Sequence, residues 1–454
     1  MDRTANCVHL RDAIRRPVAT KVGIVVTTKA AEGTPMVAPD TAAVPARRVG
    51  SALAVPAYRW YWASQLVSGV GTWSQVVAQS WLVLQLTASP LALGTVTTLQ
   101  FLPMLVFPLL GGVVADRVPR RRLLLVTQVA ALVQALVLGA LVETGTVQYW
   151  EVAVLALLLG LTNAFGNPAQ QALVPELVGR ELVGNAVALN SIQFNLARLV
   201  GGAVGGLAVA ALGISAALFL NAASFVPVVV VLAVIRPAHA AVRRSGPPAA
   251  VAGEIGAALR YAARTPGIRR VLALFGVVGL FGFNWAVAVP LLAVSLGAGS
   301  AGFGALMSAL GAGSLAAGIV LMRTRGATER RLLLGGLAMG AIIVLLGLSS
   351  WYAVSLVLMV AAGLAGITAS VSANTLLQLR TPDELRGRVM SLYVMLLGGT
   401  TPIGALLLGG IAETLGIRDG LVVFGALTIA GLLAVLALER AGARTPAAPA
   451  TPYT

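Results

Sequence analysis

Five polar residues recur through one apolar stretch: Gln65, Ser68, Thr72, Gln75 and Gln79. Steps of three, four, three and four put all five on one face of a helix. Amides and hydroxyls both donate and accept hydrogen bonds, so this face can hold a polar small molecule. Lipid would penalise such a stripe, so it must look into a cavity or onto another helix. Trp73 stands beside it and offers a stacking surface for a flat or greasy ligand. The alternative is hydrogen bonding between packed helices, which Gln and Ser also perform in membranes. Other apolar stretches carry matching points. Asn163, Asn167 and Gln170 stand four and three apart around Pro168, Asn284 adjoins Trp285, and Asn374 lies near the inner end of another stretch. These residues, Gln170 apart, are the candidate substrate-binding set.

Two further groups bear on chemistry. Arg198 is the charge well inside an apolar stretch, where an arginine is expensive and has a job. It either binds an anionic substrate or pins backbone carbonyls and Asn195 as a structural bolt. Proton coupling needs an acid or a histidine that alternates exposure. No acid lies mid-stretch in the first helix, and Glu151, entering its helix from outside, is the candidate proton site. No Gly-rich Lys-Ser/Thr phosphate loop is present, so ATP drive by this chain is not expected. Nor is a metal or cofactor: the single cysteine is Cys7, and His9 and His239 both fall in loops.

The elements that position these residues are helices in a bilayer. The chain has 454 residues, 58% hydrophobic and 11% charged, against about 25% charged in a soluble domain. Residues 60–115, 271–322, 332–379 and 389–412 carry no charge, and about 20 apolar residues suffice for one crossing. The pattern predicts twelve spans, at about 60–85, 91–115, 121–142, 150–171, 187–211, 215–235, 269–293, 301–322, 331–349, 352–376, 388–412 and 420–438. The expected fold is therefore an all-α membrane protein of two six-helix bundles, 58–235 and 269–438. Residues 1–57 lack apolar periodicity and read as a disordered tail, with Met36 a possible true start. Residues 236–268 read as a linker in which Ile255, Leu259 and Ala262 share the apolar face of a helix lying on the inner leaflet. Residues 439–454 read as a second tail.

The net charge of +16 could suggest nucleic acid, but its distribution argues for topology instead. Arginines crowd alternate loops, and Arg418 alone stands in the loops between them. That asymmetry is the positive-inside pattern, which places both termini in the cytoplasm and the chain in the cell membrane. The halves also repeat weakly. A slide of 203 positions brings Glu181-Leu182 onto Glu384-Leu385 and Gly184 onto Gly387. It also brings Gly201 onto Gly404, Gly206 onto Gly409, and Leu212-Gly213-Ile214 onto Leu415-Gly416-Ile417. Duplicated halves with a site between them are a transporter architecture.

Residues 111–122 read GGVVADRVPRRR, a charged knot between apolar helices. Gly112, Asp116, Arg117, Arg121 and Arg122 fill a pattern of Gly, three residues, Asp-Arg, a short gap and basic positions. This resembles the loop between helices 2 and 3 of the major facilitator superfamily. The stretches GTWSQVVAQSWLVLQLTASPLALG (71–94) and NPAQQALVPELVGRELVGNAVALNSIQFNLARLVGGAVGG (167–206) are similar to its siderophore-exporter and macrolide-efflux branch. The likeness spans 58–438 and is weaker in the second half, where RTRGATERR keeps the charge and loses the Gly-Asp-Arg core. It implies a secondary active exporter, not an enzyme: a monomer that moves a siderophore, macrolide or other amphipathic small molecule, with protons as the coupling ion. An importer of the same fold, or a transport-inactive sensor, are the alternatives. The five residues of the knot are expected to latch the cytoplasmic side shut, Asp116 by facing a helix N-terminus or Arg; otherwise the arginines set topology alone. Gly202 stands where the superfamily's antiporter pattern has proline, which argues against a kink in that helix.

Overall fold

The computed structural model describes residues 51–107, 114, 118–235, 256, 259–323 and 326–444. The helices are α1 (Pro56–Thr87), α2 (Pro90–Val106), α3 (Arg120–Glu143), α4 (Tyr149–Val178), α5 (Val183–Leu212), α6 (Ile214–Val234) and α7 (Pro266–Val277). The rest are α8 (Trp285–Ser295), α9 (Gly299–Arg323), α10 (Glu329–Leu348), α11 (Tyr352–Arg380), α12 (Asp383–Gly399), α13 (Thr401–Leu415) and α14 (Ile417–Arg444). Ten helical stretches are long and apolar enough to cross a bilayer, with α7 joined to α8 and α12 joined to α13. The described part of α2 is shorter. α1 is long enough, at 32 residues, but its polar stripe dilutes its apolarity. These make the twelve spans of the expected fold.

α1 packs on α5 and α6, α3 on α4 and α6, and α2 on α4. In the second half α9 packs on α11, and α10 on α11 and α14. The halves meet along two seams, α5 with α9 and α2 with α13. The internal repeat explains both. Gly213 and Gly416, aligned in sequence, have φ of 91° and 84° and end α5 and α13 in the same left-handed way. Gly206 faces Ser300 and Gly304 on α9, and its counterpart Gly409 faces Pro90 and Gly94 on α2. Each crossing is so close that a Cβ on either glycine would meet backbone within 2.8 Å. Small residues let membrane helices approach this far.

Several boundaries differ from the sequence reading. The described residues begin at Ser51, not at residue 58. Ser51–Ala54 form a 3-10 turn, and buried Ala52 donates its N–H to Asn185 Oδ1 at 3.0 Å. Ala52 is small enough to dock beside buried Tyr58 and Ala186. The last helix runs past 438 to Arg444, because Glu439 on it binds Arg269 and Arg270 of α7. Ile255 lies outside the described residues; Ala262 is buried in the second half's core while Leu259 is exposed. The expected span 269–293 is broken. A π-helical turn at Val278–Gly282 precedes Phe283 and Asn284, and α8 restarts at Trp285. Such turns cluster at functional sites. α5 is continuous, and its Gly202 faces the Gly304 carbonyl at 3.0 Å from a built Cβ.

Candidate functional site

A cavity of about 510 Å³ lies between the halves, a size that suits drug-like ligands. The first half contributes Thr72, Trp73, Gln79 and Ser80 from α1, Thr97 and Gln100 from α2, Asn163 and Asn167 from α4, and Phe194 and Arg198 from α5. The second half contributes Phe283 and Trp285, Met307 and Ser314, Ser370, Leu397 and Thr401. Phe283 and Trp285 flank the break between α7 and α8, and Leu397 and Thr401 flank the junction of α12 and α13. Interrupted helices at the binding site are a transporter trait.

The α1 stripe divides. Thr72 and Gln79 reach the cavity, and Gln79 also donates to Gln100 at 3.1 Å. Gln75 turns away. Its Nε2 donates to Gln134 of α3 at 3.1 Å, and its Oε1 accepts from Asn221 of α6 at 2.5 Å. The reason is angular. Three residues at about 100° each leave Gln75 roughly 60° round the helix from Thr72, whereas seven bring Gln79 back to within about 20°. Gln65 shares the Thr72 line but lies two turns nearer the end of α1 that bears Arg59; it donates to Tyr61 Oη at 2.8 Å and does not line the cavity. Ser68 is buried outside the lining as well. Cavity lining and packing between helices are therefore divided among different residues of the stripe.

Asn163, Asn167 and Trp285 reach the cavity, and Asn284 and Asn374 do not. Asn284 stands at the start of α8, donates to the Leu280 carbonyl at 2.7 Å, and is covered by Gly404. Asn374 accepts from Gln378 at 2.6 Å. Glu151 is held at the start of α4. It accepts the Gln148 N–H at 2.8 Å in a capping box and lies outside the lining. Arg198 lies under two rings, 5.7 Å from Trp73 and 5.8 Å from Phe194, which themselves meet edge to face at 5.7 Å. Its Nη2 donates to Asn195 Oδ1 and, across the seam, to Ser314 Oγ. Gln100 and Thr97 were missed, although Leu93, Val96, Thr97 and Gln100 share one helical face that was there to be read.

Of the five knot residues, Gly112, Asp116 and Arg117 lie outside the described residues. Arg121 bonds the Leu232 and Ala233 carbonyls, the C-terminal end of α6 in its own half. Arg122 is exposed. Neighbouring Arg120 pairs with Glu176 of α4 at 2.5 Å. The counterpart loop has not simply decayed. Glu329 opens α10 and binds both Arg270 of α7 and Arg380 of α11. The arrangement resembles the α3–α4 pair with the signs exchanged.

The opposite end, away from this basic end, is closed by contacts between the halves. Glu413 of α13 accepts from Ser89 Oγ at 2.7 Å and from the Leu91 N–H at 3.0 Å. It thus caps the N-terminus of α2, where backbone N–H groups favour a carboxylate. Thr98 donates to the Pro402 carbonyl at 2.8 Å, and Ser308 to the Leu199 carbonyl at 2.6 Å. The last two bonds lie level with the cavity, next to its lining residues Thr97, Thr401, Met307 and Arg198, and the Glu413 cap and the glycine crossings join the halves nearer the far end.

The family model for the transmembrane secretion effectors matches residues 50–448. The chain is 29% identical over 363 residues to the multidrug efflux pump Tap of Mycolicibacterium fortuitum, covering 78% of this chain and 88% of Tap. It is 28% identical over 403 residues to the enterobactin exporter EntS of Salmonella typhimurium, covering 84% and 92%. Its fold matches the crystal structure of the nucleoside transporter NupG, with a TM-score of 0.67 at 12% identity over 84% of this chain and 98% of that one. It also matches a bacterial homologue of the lysosomal transporter Spinster in an inward-facing, unoccupied conformation (TM-score 0.63, 12% identity, 87% and 98% covered). With twelve spans, two seams and a central cavity already in place, the chain belongs to the transmembrane secretion effector family of the major facilitator transporters: it is a multi-pass membrane transporter that exports small molecules, and not an enzyme.

Proposed function

We propose that this exporter carries an amphipathic small molecule by proton-coupled alternating access and works as a monomer. The observation that carries the reading is the cavity between the halves, walled by Trp73, Phe194, Phe283 and Trp285 and dotted with amides and hydroxyls. Rings supply apolar contact, and Gln79, Gln100, Asn163 and Asn167 supply adaptable hydrogen bonds. Relatives named for drug and siderophore export fit such a wall. The arginine-rich loops support a cytoplasmic position for the basic end and both termini. The contacts between the halves near the far end support reading this as an inward-facing form.

Rocking of the halves would part α2 from α13 and the far end of α5 from α9. The knot at Gly112, Asp116, Arg117, Arg121 and Arg122 would close the cytoplasmic end in exchange. Asp116→Asn tests that latch: transport at wild-type rate and normal protein level ends it. The function itself is tested in everted vesicles energised by respiration. They should accumulate an amphipathic dye, ethidium or an anionic one, and release it when an uncoupler is added. Uptake that survives the uncoupler overturns proton coupling. Uptake no greater than in vesicles lacking the protein, for ethidium and for an anionic dye alike, overturns export.

A further inference from the structure

The cavity contains a charge that no acid among the described residues balances. Arg198 is the sole ionised side chain in the lining; no Asp or Glu is among those residues. The ion pairs of the described residues belong to other arginines. The protein spends only one nitrogen of this guanidinium. Nη2 donates to the neutral oxygens of Asn195, at 2.9 Å, and Ser314, at 2.5 Å. Nε is fully buried and has no acceptor. A structural bolt would use its donors on carbonyls, as Arg121 does on the end of α6. Here the guanidinium keeps donors in hand, and a guanidinium's fork matches a carboxylate or similar anion.

Cost points the same way. A half-buried cation with only neutral partners is costly, and the ring faces of Trp73 and Phe194 offset only part of that. An anion brought by the ligand would convert the cost into attraction. The same corner supplies a place for the ligand's apolar body, since the Trp73 and Phe194 rings adjoin the charge.

We infer that Arg198 is an anion-binding subsite and that the transported molecule is an organic acid, carrying its negative group to Arg198 and its apolar or aromatic body to Trp73 and Phe194. This rests on the cavity's being the transport site. Because Ser314 lies on α9 and Arg198 on α5, the bound anion sits on the seam between the halves. An anion that draws the guanidinium from Ser314 loosens one of the bonds that hold the seam.

The test is equilibrium binding to the purified full-length protein, read as energy transfer from tryptophan to pyrene. The probes are 1-pyrenebutyrate and its neutral analogue 1-pyrenebutanol, in a low-salt buffer that contains no other carboxylate, with empty micelles subtracted. Wild type should prefer the anion by at least about tenfold, the ratio that 1.4 kcal/mol produces. Arg198→Gln should lose that preference while still binding pyrenebutanol. Arg198→Lys, which keeps the charge and loses the fork, should retain part of it and guards against a fold lost in the first variant. Equal affinities in wild type, or a preference that survives Arg198→Gln, overturns the inference while leaving the cavity reading intact. Loss of the preference in chloride buffer identifies an inorganic-anion site and also overturns it. Binding of neither probe overturns both, because the cavity then takes no amphipathic ligand.

Discussion

Gly304 is where a single methyl should move the whole molecule. It sits at the far-end crossing of α5 and α9. A Cβ there would lie 2.3 Å from the Gly202 carbonyl oxygen and 2.7 Å from the Gly206 Cα. Relaxed carbon contacts lie at about 3.5–4.0 Å, so the helices must part by roughly 1 Å. Both neighbours are backbone, which cannot swing aside as a side chain would. Overpacking of this kind costs about 1–3 kcal/mol, and the cost exists only while the far end is shut. Gly304→Ala should therefore shift the ratio of far-end-closed to far-end-open forms by about 5- to 150-fold toward open. The assay uses a Cys7→Ser background with Ser80→Cys as a reporter in the cavity wall. A membrane-impermeant maleimide is applied to intact cells. Gly304→Ala should raise the labelling rate in proportion to the shift. Gly318→Ala, on the same helix with nothing within 4 Å of its Cβ, should leave the rate unchanged. Equal labelling in both variants, at equal protein level, would refute the idea that this crossing sets the resting state.

Other perturbations test other parts of the account. Glu413→Gln removes the charge that caps α2 from the opposite half; it should raise Ser80→Cys labelling in the same direction as Gly304→Ala, and a fall would contradict the far-end seal. Gln75→Ala strands Gln134 and Asn221 in the interior, at a cost of about 1–3 kcal/mol, so its thermal unfolding midpoint should drop while Thr72→Ala, at the cavity wall, keeps its midpoint and transports more slowly. The reverse pattern would mean that the stripe has been divided wrongly between packing and binding.

The fold was largely legible because the bilayer imposes simple rules. Charge-free runs must be helices, and the 203-residue slide aligned Gly206 with Gly409, each of which packs against the other half at one of the two seams. The site was legible only in part. Period alone placed five polar residues on one face, but a face covers about 100° or more, and neighbouring helices decide which edge of it stays open. Thr72 and Gln79 fell on the open edge, and Gln75 met α3 and α6. The break at Val278–Gly282 was hidden because VGLFG is as apolar as the helix around it; the disruption follows from Gly279 packing on the Leu396 carbonyl and Thr400 of α12 and its C-cap. Glu329 was hidden for a different reason. The loop looked like a decayed copy of GGVVADRVPRRR, whereas its acid had moved to the first position of α10, where Arg270 and Arg380 converge.

Alternating access is the central claim, and a reversible bolt at the far end tests it most directly. In the Cys7→Ser background, Leu91→Cys and Gly410→Cys place two thiols across the α2–α13 seam, where Leu91 Cδ1 lies 4.0 Å from a Cβ built on Gly410. A short reducible bis-thiol crosslinker should join them in the form described here. Transport by the crosslinked protein should stop, and a reductant should restore it to the level of the uncrosslinked double variant. Transport that continues unchanged after complete crosslinking would contradict the account, because the far end would then have no need to open.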